Sequence, residues 1–87
     1  MTSYHVEIVI AAVRDLAAAG ALPAELTATP LEAGTTLDAL GLDSMARLEL
    51  LAELEERADV HIPESYLSGL RTLGDLAATL DVVRKAA

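Results

Sequence analysis

From about Ser3 to Ala19, the apolar residues Val6, Val9, Ile10, Val13, Leu16 and Ala17 recur at steps of three and four, which predicts an amphipathic helix. The β-branched residues among them also suit strands, but the period is nearer 3.6 than 2 and alanine is abundant, so helix is the better reading. Ser3 or Thr2 can cap its start and Gly20 ends it. A second stripe, Met45, Leu48, Leu51, Leu54 and Ala58 with Leu50 beside it, predicts the core-facing side of a helix from about Ser44 to Ala58. That phase makes Leu48 a packing residue and leaves Arg47, Glu49, Glu53, Glu56 and Arg57 for solvent or a partner. A third stripe, Leu73, Leu76, Ala77, Leu80 and Val83, follows Thr72 as its cap, with Asp75 three residues on as a capping-box analogue. Arg84 and Lys85 suit the C-terminal end of that helix dipole. Pro63 fits the first position of a short helix over roughly residues 63–68, where its missing N–H costs nothing, and Gly69 closes it.

Residues 20–43 form a long connection carrying Gly20, Pro23, Pro30, Gly34 and Gly41. Connections of this length are functional or pinned by buried side chains. Leu22, Leu26, Leu31, Leu37 and Leu40 supply such pins, so an ordered loop lying across the helices is expected. Thr35 or Thr36 can cap a single turn near Leu37–Leu40, which Gly41 then stops. The expected fold is all-α: a four-helix bundle with a long first loop and a short third helix, residues 1–87 making a single domain.

Composition narrows the chemistry. The chain is 53% hydrophobic with two aromatic residues, so the core is aliphatic and there is no platform for stacking single-stranded nucleic acid. A chain of this length buries roughly 60–65% of its unfolded surface, which demands efficient packing. Six basic residues against fourteen acidic give a formal charge of −8, which disfavours nucleic acid and anionic membrane surfaces and suits a basic protein partner. Acidity of this kind also simply keeps a domain soluble. With no cysteine, neither a disulfide nor a thiolate metal site is possible. No apolar run approaches the ~18 residues of a membrane span and no leader pattern is present, so a cytoplasmic, free-standing monomer is expected.

Among polar residues, Ser44 stands out. Gly41 lets the backbone turn, and the Asp43-Ser44 pair then meets the unsatisfied N–H groups of a new helix. Either residue can be the N-cap and nothing more. Alternatively, the Ser44 hydroxyl sits at a fixed corner where the helix dipole favours a covalently attached phosphate. A hydrolytic serine would need a base in reach. The two histidines, His5 at the start of the first helix and His61 before Pro63, are poorly placed, His61 lying one helix length away. No phosphate-cradling glycine pattern and no metal-loop spacing occurs, so no catalytic or metal residue is assigned.

The run Asp38-Ala39-Leu40-Gly41-Leu42-Asp43-Ser44-Met45, followed by Leu48-Glu49-Leu50, resembles the attachment motif of acyl carrier proteins, in which D-S-L or D-S-M opens the second helix. Glu53, Glu55 and Glu56 sit where that family places acidic residues, His61-Ile62-Pro63-Glu64 resembles its I-P entry to a short helix, and Thr72-Leu73-Gly74-Asp75-Leu76 its T-V-G-D-L start of the last one. The similarity covers residues 35–80 well and the first helix by pattern alone.

The resemblance implies a carrier, not an enzyme, bearing covalent 4'-phosphopantetheine on Ser44, with Asp43 orienting the hydroxyl or the metal of the modifying enzyme. It implies a partner face of Met45, Leu48, Glu49, Glu53 and Glu56. The implied partners are a phosphopantetheinyl transferase, an acyl- or aminoacyl-loading enzyme, and an acyltransferase or ketosynthase. The acid that often follows the serine by two positions is Ala46 here, and Arg47 comes next. These changes weaken a partner with a strongly basic patch there and point to bacterial polyketide or hybrid polyketide–nonribosomal biosynthesis. Asp43 favours acyl over aminoacyl or peptidyl cargo. The rivals are an acidic helical adaptor without prosthetic group and a small hydrolase.

Overall fold

Gly20 and Asp43 bracket the long connection as expected, and the helices stop and start there for identifiable reasons. The computed structural model describes residues 4–86, and for residues 4, 64, 67, 85 and 86 only the backbone. The proposed Thr2 or Ser3 cap and the charge of Lys85 lie outside the described groups. Helix α1 spans Tyr4–Ala18, α2 Ser44–Ala58 and α3 Leu73–Ala86, with 3-10 turns at Ala24–Thr27 and Glu64–Gly69. The short third helix is therefore a 3-10 turn, in which the Tyr66 amide donates to the Pro63 carbonyl. No regular strand occurs among the described residues; there is an isolated antiparallel bridge between Thr36 and Thr72.

Helix α1 ends in a Schellman motif. Gly20 takes φ +87°, its amide donates to the Ala17 carbonyl, and the Ala21 amide donates to that of Leu16. Arg14 then holds the departing chain, donating from Nη1 to the Leu26 and Thr29 carbonyls at 2.9 and 2.7 Å. Leu22, Leu26, Leu37 and Leu40 are buried and Leu31 is half-buried, so the loop is pinned as its leucines predicted, with Leu42 as a further anchor. Thr36 is the cap of the Leu37–Leu40 turn: its Oγ1 accepts from the Ala39 amide at 3.0 Å. The far end of the loop is strapped to the start of α3 by three backbone bonds: Leu37 N–H to Arg71 O, Leu73 N–H to Thr35 O and Gly74 N–H to Ala33 O.

The core is aliphatic, built from Val9, Val13, Leu50, Leu54, Leu73, Leu76 and Leu80 around Leu37. The α3 stripe is buried as the periodicity predicted. On α2 the phase differs. Met45 and Leu48 are 65% and 53% exposed, whereas Leu50, Leu51 and Leu54 are buried. The core face of α2 therefore runs through Leu50, Leu51 and Leu54, with Ala46 and Ala58 packed against it, and Met45 and Leu48 fall outside it. Arg57 bridges helices, donating to Glu53 at 2.7 Å and to Asp15 of α1 at 2.6 Å, so neither Arg57 nor Glu53 is merely solvated. These bonds, that to Asp15 first, raise the Arg57 pKa against the opposing effect of its desolvation and hold the guanidinium in its charged form.

The capping box of α3 is reciprocal: the Asp75 amide donates to Thr72 Oγ1 at 3.0 Å, while the Asp75 carboxylate accepts from the amides of Arg71 and Thr72. Those backbone bonds, that from Arg71 first, lower the Asp75 pKa below its ordinary 3.8. A carboxylate whose folded pKa is depressed stabilises the fold above its unfolded pKa and loses that contribution as pH falls through the folded value. Thermal melts of Asp75→Asn should therefore lie below wild type at neutral pH, and the gap should close progressively below about pH 4. A gap independent of pH would show that the carboxylate charge contributes nothing to the cap.

Candidate functional site

Asp43, not Ser44, caps α2. Its backbone is extended (φ −82°, ψ −177°), and Oδ1 accepts from the Ala46 amide at 2.8 Å. The chain reaches it through Gly41, whose φ of +72° suits glycine, and through buried Leu42. Ser44 is thus the first helical residue, with its side chain exposed and not consumed by the cap. The cap falls to Asp43, and Ser44 stays exposed beside it.

Beside that hydroxyl opens a groove of about 500 Å³ lined by Ser44, Arg47, Leu48, Leu50, Leu51 and, from the facing segments, Leu37, Ser68, Leu70 and Leu76. Its floor is aliphatic, and its polar groups are the two serine hydroxyls and the Arg47 guanidinium. Arg47 Nε donates to the Leu42 carbonyl at 3.2 Å, and Nη2 pairs with the Asp38 carboxylate. The Asp38 side chain is 90% exposed, so this pair belongs to the class worth about 0–1 kcal/mol. Ser68 and Leu70 are groove residues that the sequence did not single out, whereas Leu37 was expected as a loop pin and Arg47 as a solvent or partner residue, neither as part of a groove. The signal for Arg47 was its position three residues after Ser44 on a helix, since helical side chains lean toward the N-terminus and over the preceding turn.

Neither histidine serves Ser44. His5 is buried with Nδ1 3.8 Å from Asp81 of α3. His61 Nδ1 lies 3.0 Å from Glu55, which also accepts the Ile62 amide, and Glu55 is ~16 Å along α2 from Ser44 at 1.5 Å per residue. No group of three metal-ligating side chains occurs among the described residues. No described helix is long and apolar enough to cross a membrane.

Of the expected partner face, Met45, Leu48, Glu49 and Glu56 are exposed on α2, while Glu53 is half-buried and tied to Arg57. Met45, Ala46 and Glu49 share a shallow second groove with Asp43 and the Gly20–Pro23 segment. Met45 and Leu48 are the large apolar residues that α2 leaves open to water.

Ser44 therefore presents an exposed hydroxyl at a helix start, free of the capping bond, while the two histidines pair with Asp81 and Glu55. Residues 12–80 match the family described as "Phosphopantetheine attachment site". The chain is 44% identical over 43 residues to the acyl carrier protein of Streptomyces coelicolor, covering 49% of this chain and 47% of that one. It is 38% identical over 42 residues to the acyl carrier protein of Rhodococcus erythropolis, 48% of this chain and 46% of that one. To the meromycolate extension acyl carrier protein of Mycolicibacterium aurum it is 40% identical over 42 residues, 48% of this chain and 43% of that one. The matched stretch therefore spans a little under half the length of these relatives. No solved structure matches significantly.

Proposed function

Because this chain belongs to the phosphopantetheine-attachment-site family, we propose that residues 1–87 are one carrier domain that holds acyl intermediates as thioesters and presents them to partner enzymes of a polyketide or hybrid pathway in the bacterial cytoplasm. The observation that carries this reading is the separation of duties at the α2 start: Asp43 satisfies the helix, leaving Ser44 exposed for modification. In that step Ser44 Oγ bonds to the pantetheine-linked phosphorus of coenzyme A, the pyrophosphate P–O bond breaks, and adenosine 3',5'-bisphosphate leaves. The hydroxyl proton passes to the Mg²⁺-dependent transferase, since His5 and His61 pair with Asp81 and Glu55 away from Ser44. The attached group supplies a terminal thiol, on which cargo is tethered at high effective concentration.

The residues around Ser44 fit such a group: the Arg47 guanidinium suits its phosphate, as does the positive end of the α2 dipole, and the aliphatic groove beside them offers cover to an apolar cargo. Acyl over aminoacyl cargo is favoured by Asp43 and by the likeness to the acyl carrier proteins of Streptomyces and Mycolicibacterium. The direct test is incubation with a promiscuous phosphopantetheinyl transferase and coenzyme A, followed by intact mass. One added phosphopantetheine supports the carrier; an unchanged mass leaves the adaptor.

Exposed Met45, Leu48, Glu49 and Glu56 make the proposed partner face, with Glu53 contributing charge from its edge. Glu49→Lys should slow transfer from a cognate loading enzyme at low ionic strength, and the deficit should shrink as salt screens it. Its melting should stay within about 0.5 kcal/mol of wild type, as for an exposed residue with no bond to lose. Glu53→Lys should in addition destabilise, because it breaks the Arg57 bridge. Transfer at low salt that ignores Glu49→Lys would remove that residue from the face.

A further inference from the structure

Arg47 occupies an unusual position for a cation in so acidic a chain. Of the charged side chains among the described residues, it is the one that lines the groove together with Ser44. Arg14 is spent on the Leu26 and Thr29 carbonyls, and Arg57 on Asp15 and Glu53. Arg47 has been turned toward the start of its own helix: Nε on the Leu42 carbonyl fixes the plane of the guanidinium, and Nη2 on Asp38 holds its outer edge. Two of its five N–H donors are engaged in these bonds, and the side chain keeps 35% of its surface.

Residues three apart on a helix have Cβ atoms about 5–6 Å apart, so a phosphate on Ser44 Oγ falls within reach of this guanidinium. Guanidinium recognises phosphate through paired N–H···O bonds and is lightly hydrated, so the contact forms readily at a half-buried edge. Its competitor is weak, because the Asp38 carboxylate stands almost wholly in water. An anion bonded to Ser44 also sits beside the Asp43 carboxylate, and a neighbouring cation relieves that repulsion.

Resting on the reading that Ser44 is modified, we propose that Arg47 is the positioning residue for the attached arm: its guanidinium binds the phosphodiester, sharing or surrendering its bond to Asp38, and sets the arm's departure over the Ser44–Leu48–Leu70 groove. Modification would then also loosen the Asp38 end of the 37–41 turn, while the Leu42 bond stays.

The test uses the protein loaded with unacylated phosphopantetheine, verified by mass, in wild type, Arg47→Gln and Asp38→Asn. On loading, the Arg47 Nε–Hε resonance of wild type should shift, and the ³¹P resonance should be broad from restricted motion. Arg47→Gln should narrow and shift the ³¹P line. Asp38→Asn should do the reverse, broadening it further, because it removes the competitor and spares the binder. A residue that merely holds the turn predicts the same direction for both variants, or no phosphorus effect in either, and each of those results overturns the proposal. Raising salt should move the wild-type line toward that of Arg47→Gln, since screening weakens the contact. Failure of wild type to gain mass would instead sink the modification reading, and this inference with it.

Discussion

Ser44→Ala should abolish phosphopantetheine incorporation completely while leaving the melting curve within about 0.5 kcal/mol of wild type. The loss is total because no other oxygen can substitute: the attachment bond needs this Oγ at this corner. The fold survives because Ser44 is exposed and because Asp43 accepts the capping bond from Ala46 at 2.8 Å. Alanine at the first helical position is, if anything, the better helix former. Asp43→Ala is the informative contrast, since it removes the cap and should cost about 1 kcal/mol. Intact mass after incubation with transferase and coenzyme A, beside thermal melts of both variants, reads the two effects. An Ser44→Ala protein that still gains mass would place the arm elsewhere. One that melts far below wild type would mean the serine, not the aspartate, anchors the helix.

The largest expected change in stability comes from Leu54→Ala. Leu54 is fully buried at the middle of α2. Truncating such a leucine removes its transfer energy and leaves a cavity, at about 2–5 kcal/mol. A domain of this length has roughly 4–13 kcal/mol in total, at 0.05–0.15 per residue. At 4–8 °C per kcal/mol for this size class, the midpoint should fall by roughly 10–30 °C or more. Leu48→Ala, about 1.7 turns away on the same helix, should change it by no more than about 0.5 kcal/mol, because 53% of its surface already faces water. Circular-dichroism melts of the pair decide the rotation of α2: comparable losses in both variants would restore the stripe through Met45 and Leu48.

That rotation is where the sequence was least legible. Met45, Leu48, Leu50, Leu51 and Leu54 together cover more than half the circumference of α2, so two phases satisfy a helical repeat equally well. What selects between them is tertiary: Arg47 bonding back to Leu42, and Leu50 meeting the groove walls. The charged bridge from Arg57 to Asp15 was invisible for the same reason, since it joins residues of different helices. Local chemistry was read far better. The Thr72–Asp75 box, the Thr36 turn, the Gly20 stop and the α2 boundaries each depend on a few adjacent residues, and each is found where the residues indicated. The Pro63 segment fell between the two cases. Proline marked a helical start correctly, but six residues closing at Gly69 form a 3-10 turn and not a longer helix. For the site, position was legible and environment was not: Ser44 could be singled out from its neighbours, whereas the facing wall of Ser68 and Leu70 came from a distant part of the chain.

The three amide bonds joining residues 33–37 to 71–74 have a consequence for dynamics. Although this part of the connection is neither helix nor sheet, its amides at Leu37, Leu73 and Gly74 should exchange with deuterium on the slow timescale of the core rather than with the surface. The tolerant stretch is then confined to the exposed residues near Pro30, and an engineered tag or chain break there should leave the protein folded, whereas one between Thr35 and Leu37 should not.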